Sequence, residues 1–223
     1  MVRNGSGVND IKDLAGKKVA TPFVSTSHYS LLFVLKHSGV DPTSVNVLNL
    51  QPPEIAAAFA RGDIDAAYVW DPVLTKAKEN GKVLIDSGEV AKLGGPTFVA
   101  WITRNDYAAA HPEVVKAFTK VTLDTYAHFR KDPDDYRAGT ANAKKIADFN
   151  GAKVEDIFDE VDGAYYPLAD EQASPALLGG GTANDIAATA AFLKDQKKVD
   201  ALLPSYAGTI TAEFVKAARS QTR

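Results

Sequence analysis

The chain contains no cysteine, and this absence removes several kinds of site from consideration. Without thiols there is no disulfide, no thiolate-bound metal and no cysteine nucleophile. The absence leaves the compartment open, because a protein without cysteine suits oxidising and reducing surroundings equally. The four histidines show no spacing typical of metal ligands, so the sequence predicts no metal and no cofactor.

Long apolar runs and basic blocks are also missing. The longest strongly apolar run, residues 29–35, is far too short to cross a bilayer. Lys and Arg total 25 against 28 Asp and Glu, and no basic cluster marks a nucleic-acid-binding face. Residues 1–7 contain no apolar segment with a cleavage site, so no export signal is predicted in the chain as written. The remaining composition, 45% hydrophobic and 24% charged, is that of a soluble globular protein.

Strand-like and helix-like segments alternate over residues 19–99. The pattern predicts strands over 19–21, 45–50, 66–70, 82–85 and 98–103, and helices over 27–38, 53–60 and 72–79. Such alternation favours a parallel sheet covered by helices on both faces. Beyond residue 103 the pattern predicts helices only, over 112–130, 140–149, 154–161, 184–194 and 209–218. The second half therefore supplies amphipathic helices but almost no sheet.

The segment that most suggests binding is TPFVSTSHYS, residues 21–30, where a predicted strand ends and a helix begins. Ligands of open α/β sheets bind at the carboxyl ends of strands, and a helix start offers unpaired N–H groups. The hydroxyls of Ser25, Thr26 and Ser27 add donors, so the segment suits a tetrahedral oxyanion such as a sulfonate. The alternative interpretation is that one hydroxyl simply caps the helix.

An enzymatic interpretation of this segment would use Ser25 or Ser27 as nucleophile and His28 as base. Adjacent residues on a helix do not face each other, and no G-x-S-x-G elbow is present. The sequence therefore predicts no catalytic residue.

Two further candidates follow predicted strands. Gln51 could hydrogen-bond a ligand, or it could merely precede a Pro-opened helix with Glu54 in its first turn. Trp70 offers a flat face to an ammonium group, or it could be a core residue. Asp71 offers a charge, although a helix cap before Pro72 is the favoured interpretation.

Five segments resemble the periplasmic binding proteins of the taurine, nitrate and sulfonate ABC importer family, in particular its taurine binders. They are LAGK (14–17), TPFVSTSHYSLL (21–32), NLQPP (49–53), RGDIDAAYVW (61–70) and HPEVVKAF (111–118). The resemblance extends from about residue 10 to residue 214 and keeps the order of the segments, which makes it specific.

The resemblance implies an α/β fold of the type II periplasmic-binding-protein class, with two lobes, a two-stranded hinge and a ligand held between the lobes. Residues 17–97 would form one complete α/β lobe. Residues 1–16 would be a remnant of the other lobe and the hinge approach, and 98–223 the return hinge and that lobe's helical part. Family members carry an export signal and most of the first lobe before the position of Met1.

We therefore expect an amino-terminal part of the usual chain to be absent here. The helices after His111 would then lack part of their packing partner. Apolar side chains of this region, including Val115, Phe118, Phe192 and Leu193, would be exposed.

The resemblance further implies a monomeric, periplasmic solute-binding protein, not an enzyme, that captures taurine or a related alkanesulfonate for ABC permease subunits. The candidate ligand-binding residues are Ser25, Thr26, Ser27, His28, Gln51, Trp70 and Asp71. Taurine binders carry an acidic residue just after Pro96-Thr97, where this chain has Phe98-Val99-Ala100. Either Asp71 or a residue of the absent part pairs the amine, or the ligand has none. The alternatives are an enzyme on this fold, such as a pyrimidine-synthesis relative, and the effector domain of a regulator.

Overall fold

The computed structural model describes residues 1–219, which divide into two compact units. Unit 1 comprises Met1–Val99, and unit 2 begins at Ala100. Each unit has its own buried apolar clusters. The assignment of chain segments to two lobes and a hinge, with boundaries after residues 16 and 97, stays a prediction.

Unit 1 is built on a five-stranded mixed sheet. Its strands are β1 (Val2–Arg3), β2 (Lys18–Thr21), β3 (Asn46–Asn49), β4 (Ala66–Ala67) and β5 (Gly81–Lys82). Their order across the sheet is β3-β2-β4-β1-β5. β2 is parallel to β3 and β4, whereas β1 is antiparallel to β4 and β5. The three parallel strands confirm the predicted α/β class.

Helices cover both faces of this sheet. They are α1 (Thr26–His37), α2 (Pro52–Arg61), α3 (Val73–Lys78) and α4 (Ser87–Lys92), with 3₁₀ turns at Ile11–Leu14 and Pro42–Ser44. The first three confirm the predicted helices to within one residue at either end. α2 ends at Gly62, whose φ of 81° is left-handed and free of strain without a Cβ.

Successive strand residues face opposite cores, as the pleat requires. In β2, Val19 packs in a cluster with Leu35 of α1, while Ala20 packs in another with Ile55 and Phe59 of α2. All five side chains are at most 2% exposed. Burying each of the larger ones contributes about 1.5–3 kcal/mol, so the two clusters hold the helices onto the sheet.

Three predicted strands need correction. β4 stops at Ala67 instead of residue 70, and the predicted strand over 82–85 is β5 at Gly81–Lys82. The predicted strand over 98–103 is wrong. Its β-branched and aromatic residues have the right propensity, but no strand in residues 1–219 pairs with them, and Val99 and Ile102 are 99% and 94% exposed.

The regular secondary structure of unit 2 is entirely helical within its described residues. Its helices are α5 (Asn105–Ala110), α6 (Pro112–Lys131), α7 (Ala141–Asn150), α8 (Ile157–Asp162), α9 (Ala169–Gln172), α10 (Gly181–Asp195) and α11 (Glu213–Arg219), with 3₁₀ turns at Pro133–Tyr136 and Ala207–Thr209. The five helices predicted in this region are therefore confirmed as α6, α7, α8, α10 and α11. No helix within residues 1–219 combines the length and apolarity that crossing a bilayer would require.

The cores of unit 2 are small. Leu123 of α6 packs with Val215 and Ala218 of α11, and Ile157 of α8 packs separately with alanines of α7. Of the apolar residues expected to be exposed, Phe118 is 48% exposed. Val115, Phe192 and Leu193 are half-buried instead.

Candidate functional site

The carboxyl ends of β2, β3 and β4 meet at one edge of the unit 1 sheet, because these three strands are parallel. The segments that leave this edge, residues 22–28, 50–51 and 68–71, contain all seven predicted ligand-binding residues. One hydrogen bond joins the first of these segments to the last residue of β3. The amide of Phe23 donates to Oδ1 of Asn49 over 2.9 Å.

Ser25 is the N-cap of α1. Its Oγ accepts a hydrogen bond from the amide of His28 at 3.1 Å and donates to the carbonyl of Pro22 at 2.6 Å. Its own carbonyl accepts from Tyr29 at 3.1 Å, the first bond of the helical ladder. The capping interpretation is therefore confirmed for Ser25, whose hydroxyl proton is used inside the loop.

Thr26 and Ser27 form the first turn of α1. A helix start leaves its first amides without intrahelical partners, and Ser25 satisfies only that of His28. Within residues 1–219 the amides of Thr26 and Ser27 form no hydrogen bond. Thr26 is exposed and Ser27 is 6% exposed. Two adjacent N–H groups at the positive end of a 12-residue helix are a suitable binding place for an oxyanion.

His28 lies under this turn and is only 3% exposed. Its ring stacks on Phe23, with ring centroids 4.4 Å apart and planes 1° from parallel. Its Nδ1 accepts a hydrogen bond of 3.2 Å from the amide of Val24. Burial lowers the pKa of His28 below its ordinary value, so the imidazole is neutral near pH 7.

Thr21 is the last residue of β2 and is fully buried. Its Oγ1 has no hydrogen-bond partner among the residues that the structure describes. An unsatisfied buried hydroxyl costs about 1–3 kcal/mol, which a polar partner can recover. The sequence pattern placed Thr21 in the segment of interest but did not single it out.

Gln51 precedes α2 and is exposed. Its amide donates to Oε2 of Glu54 at 2.7 Å, and Pro52 opens the helix. This is the Pro-opened start with Glu54 in the first turn that the sequence offered as an alternative. It accounts for the backbone of Gln51 and keeps its exposed side chain as a candidate ligand.

Trp70 and Asp71 follow β4. Trp70 is 46% exposed, so the core interpretation is wrong and one part of the indole faces outward. Oδ1 of Asp71 accepts from the amide and the hydroxyl of Thr75, at 2.8 and 2.7 Å. The prediction that Asp71 is the N-cap with Pro72 as the first helical residue is therefore wrong, because Pro72 is the N-cap and α3 begins at Val73. Asp71 still satisfies an amide of the first turn from one residue further back.

Tyr68 and Ser87 are polar residues near this edge that the sequence did not single out. Their hydroxyl oxygens are 3.0 Å apart, which links the end of β4 to the start of α4. Burial raises the pKa of Tyr68 above its ordinary value, so its hydroxyl keeps its proton. A signal for α4 was available, because Asp86 and Glu89 form the reciprocal bonds of a capping box.

No group of three His, Asp or Glu side chains within residues 1–219 is arranged to hold a metal ion. The donors at the sheet edge are amides and hydroxyls, accompanied by one neutral imidazole and one exposed indole. Such a set can bind an anion through dipoles, without a metal and without a covalent step.

The fold is one that solved periplasmic binding proteins have. The solved periplasmic aliphatic sulphonate binding protein from Escherichia coli superposes with a TM-score of 0.74 at 22% identity, covering 96% of this chain and 69% of that one. A desulfurization enzyme shares the fold, with a TM-score of 0.62 at 16% identity, covering 100% of this chain and 75% of the enzyme. The fold alone therefore does not decide between binding and catalysis.

The chain belongs to the family described as NMT1/THI5 like, which matches residues 1–136. Over 205 residues it is 44% identical to the taurine-binding periplasmic protein of Escherichia coli (strain K12). That match covers 92% of this chain and 63% of the relative. The chain thus spans less than two thirds of that relative's length.

Proposed function

We propose that this chain belongs to the solute-binding component of an ABC importer. The component would capture taurine or a related alkanesulfonate in the periplasm and deliver it, as a monomer, to the permease. The 44% identity to a taurine-binding protein supports this substrate class. The observation that carries the proposal is the pair of unpartnered amides, Thr26 and Ser27, at the start of α1.

In this proposal the sulfonate oxygens accept hydrogen bonds from the amides of Thr26 and Ser27. Hydrogen bonds to a charged group contribute about 1.5–3 kcal/mol each. The helix dipole adds about 0.3–1 kcal/mol, or about 2 kcal/mol when the site is partly buried. The hydroxyl of Ser27 is a further donor on the same turn.

The ligand's ammonium group would lie against Trp70 and Asp71. The exposed indole face attracts a cation through its quadrupole. Oδ1 of Asp71 is used by Thr75, whereas Oδ2 forms no hydrogen bond within residues 1–219. A free carboxylate oxygen and an aromatic face on consecutive residues suit a primary amine. The side chain of Gln51 would be a further contact to the ligand.

The geometry supports binding rather than catalysis. Ser25 Oγ contacts the backbone amide of His28 and not its ring, so the two side chains do not form a nucleophile and base pair. The ring Nδ1 is directed to Val24 instead. A desulfurizing or pyrimidine-synthesis activity would require a reactive pair that these residues do not form.

Three small ligands test the substrate class by NMR titration of the ¹⁵N-labelled chain, a method that detects weak binding as well as tight binding. Taurine has both a sulfonate and an amine, isethionate has only the sulfonate, and ethanolamine has only the amine. We expect taurine and isethionate to shift the amide signals of Thr26 and Ser27, and ethanolamine to leave them unchanged. Shifts with ethanolamine or with a nucleobase, and none with either sulfonate, would refute the proposal.

A further inference from the structure

Val24 has a backbone conformation that few residues of its kind adopt. Its φ is 61°, in the left-handed region, where the β-branched side chain crowds the backbone. Such a conformation persists only when surrounding contacts impose it. Val24 is also 39% exposed, so burial of its own side chain is not what holds it.

The contacts that hold this turn come largely from one residue, His28. Its Nδ1 accepts from the amide of Val24, its own amide donates to Ser25 Oγ, and its ring stacks on Phe23. His28 therefore engages three consecutive residues of the loop. A further hydrogen bond, from the amide of Phe23 to Oδ1 of Asn49, connects the loop to β3.

The hydrogen bond from the amide of Val24 defines the protonation state and the tautomer of the His28 imidazole. A nitrogen that accepts an N–H bond carries no proton, so His28 is the neutral ring with its proton on Nε2. The residue as a whole is also only 3% exposed. His28 was a candidate direct ligand, but it offers a sulfonate neither positive charge nor much accessible surface.

We propose that His28 is a positioning residue for the sulfonate. Its Nδ1 holds Val24 in the left-handed turn, and the turn aims the amides of Thr26 and Ser27 at the ligand. The role rests on the proposed function, since it concerns the same oxyanion. In this role His28 fixes the conformation of the turn, and the amides of Thr26 and Ser27 contact the ligand.

Two substitutions separate the two contributions of His28, the hydrogen-bond acceptor Nδ1 and the ring that stacks on Phe23. His28→Asn places Oδ1 where Nδ1 stands relative to Cβ, so it keeps the acceptor and loses the ring. His28→Phe keeps a flat ring against Phe23 and loses the acceptor. We expect the Val24 amide to exchange with solvent faster in His28→Phe, and at close to the wild-type rate in His28→Asn.

Taurine affinity, measured by NMR titration, should follow the acceptor and not the ring. We expect His28→Phe to weaken binding by about fivefold to tenfold, the effect of one lost hydrogen bond, and His28→Asn to stay near wild type. Adding Val24→Gly to His28→Phe should recover part of the loss, because glycine adopts a positive φ without strain. A direct contact between His28 and the ligand would not be recovered in this way.

The outcomes are distinguishable. Unchanged affinity in His28→Phe, or no recovery in the double variant, would overturn the positioning role while leaving sulfonate binding intact. If wild type binds no sulfonate, the proposed function fails and the role fails with it, although exchange at Val24 still shows whether His28 holds the turn. Circular dichroism of each variant identifies any that fails to fold, and the double variant then repeats the test with the strain removed.

Discussion

In unit 1 a sheet lies between two layers of helices, so each strand residue faces a core on one side or the other. Large side chains such as Phe59 and Ile55 are almost completely buried there. In unit 2 the regular elements among the described residues are all helices, and alanines make up much of the small cores. Trp101 and Phe149 of unit 2 are 72% and 93% exposed.

The comparison shows that a segment can form regular secondary structure without burying large apolar side chains. The helices of unit 2 form where the sequence predicts them, with caps such as the Thr140 hydroxyl on the amide of Ala143. A helix buries only one stripe, whereas a sheet presents two faces that helices can cover. We therefore expect most of the folding free energy to come from unit 1.

The largest expected effect compares a phenylalanine from each unit. Phe59→Ala removes a side chain that is 2% exposed and should lower the free energy of unfolding by about 3–5 kcal/mol. Phe118→Ala removes a 48% exposed side chain whose ring packs edge-on against Trp101, and should cost about 1 kcal/mol or less. Urea denaturation of both variants measures the difference. Equal losses would show that the two units are equally well packed.

The next effect is a pH dependence that arises in unit 1 when the protein is produced with Met1 as its first residue. The α-amino group of Met1 is buried and donates to the carbonyl of Ala67 at 2.9 Å, and burial lowers its pKa from 8.0 to about 6. Between these two values the unfolded chain binds the proton and the folded chain does not, so stability rises with pH. The shift corresponds to about 2–3 kcal/mol, lost as the pH falls from 8 to 6.

Denaturation at pH 6, 7 and 8 measures this dependence. The pKa of His28 is also lowered, but from an ordinary value of 6.5, so its effect lies below that pH. The His28→Phe variant should therefore keep the slope between pH 7 and 8. A flat profile across this range would mean that the amine is protonated in the folded chain.

A smaller effect separates binding from stability within unit 1. We predict that Ser27→Ala weakens sulfonate binding by about 1–2 kcal/mol, because a donor to a charged group is lost. Thermal stability should change less, since Ser25 still caps α1. Ser44→Ala is the control, because the hydroxyl of Ser44 donates to the carbonyl of Asp41 in the turn at the amino end of β3, away from the proposed site. Full affinity in Ser27→Ala would show that the hydroxyl does not contact the sulfonate, and would leave the backbone amides of Thr26 and Ser27 as the proposed donors.

The smallest effect belongs to the surface of unit 2. Lys144 and Asp148 form an ion pair of 2.9 Å along α7, with side chains 72% and 66% exposed. Lys144→Ala should cost about 0.5 kcal/mol or less, since exposed pairs are screened by solvent. A loss comparable with that of Phe59→Ala would contradict the contrast between buried and exposed contacts.

The fold was predictable where the pattern was long enough to repeat. α1, α2 and α6 have apolar positions at helical spacing, and their observed ends lie within one or two residues of the predicted ones. β1 was not predictable, because two residues carry no period. Its place in the sheet is decided by strands 60 or more positions away along the chain.

The site was predictable as a place but not as a set of contacts. A strand end followed by a hydroxyl-rich helix start identified residues 25–28 from sequence alone. The hydrogen bond from Phe23 to Asn49, which holds the loop before these residues, joins residues 26 positions apart and depends on how neighbouring segments fold back. Propensity cannot supply that information, because it describes each segment in isolation.

The position of β1 between β4 and β5 also has a kinetic consequence. Val2 pairs with Ala66 on one side and with Lys82 on the other, so β5 joins the sheet only through the first residues of the chain. Closing such long loops is slow, because their entropy is lost before the contacts form. We expect the parallel strands to assemble first and the β1–β5 pair last. Folding and unfolding rates would then give Val2→Ala a φ-value near 0, well below that of Val19→Ala. During synthesis on a ribosome, the sheet could not be completed around β1 until residue 82 had been added.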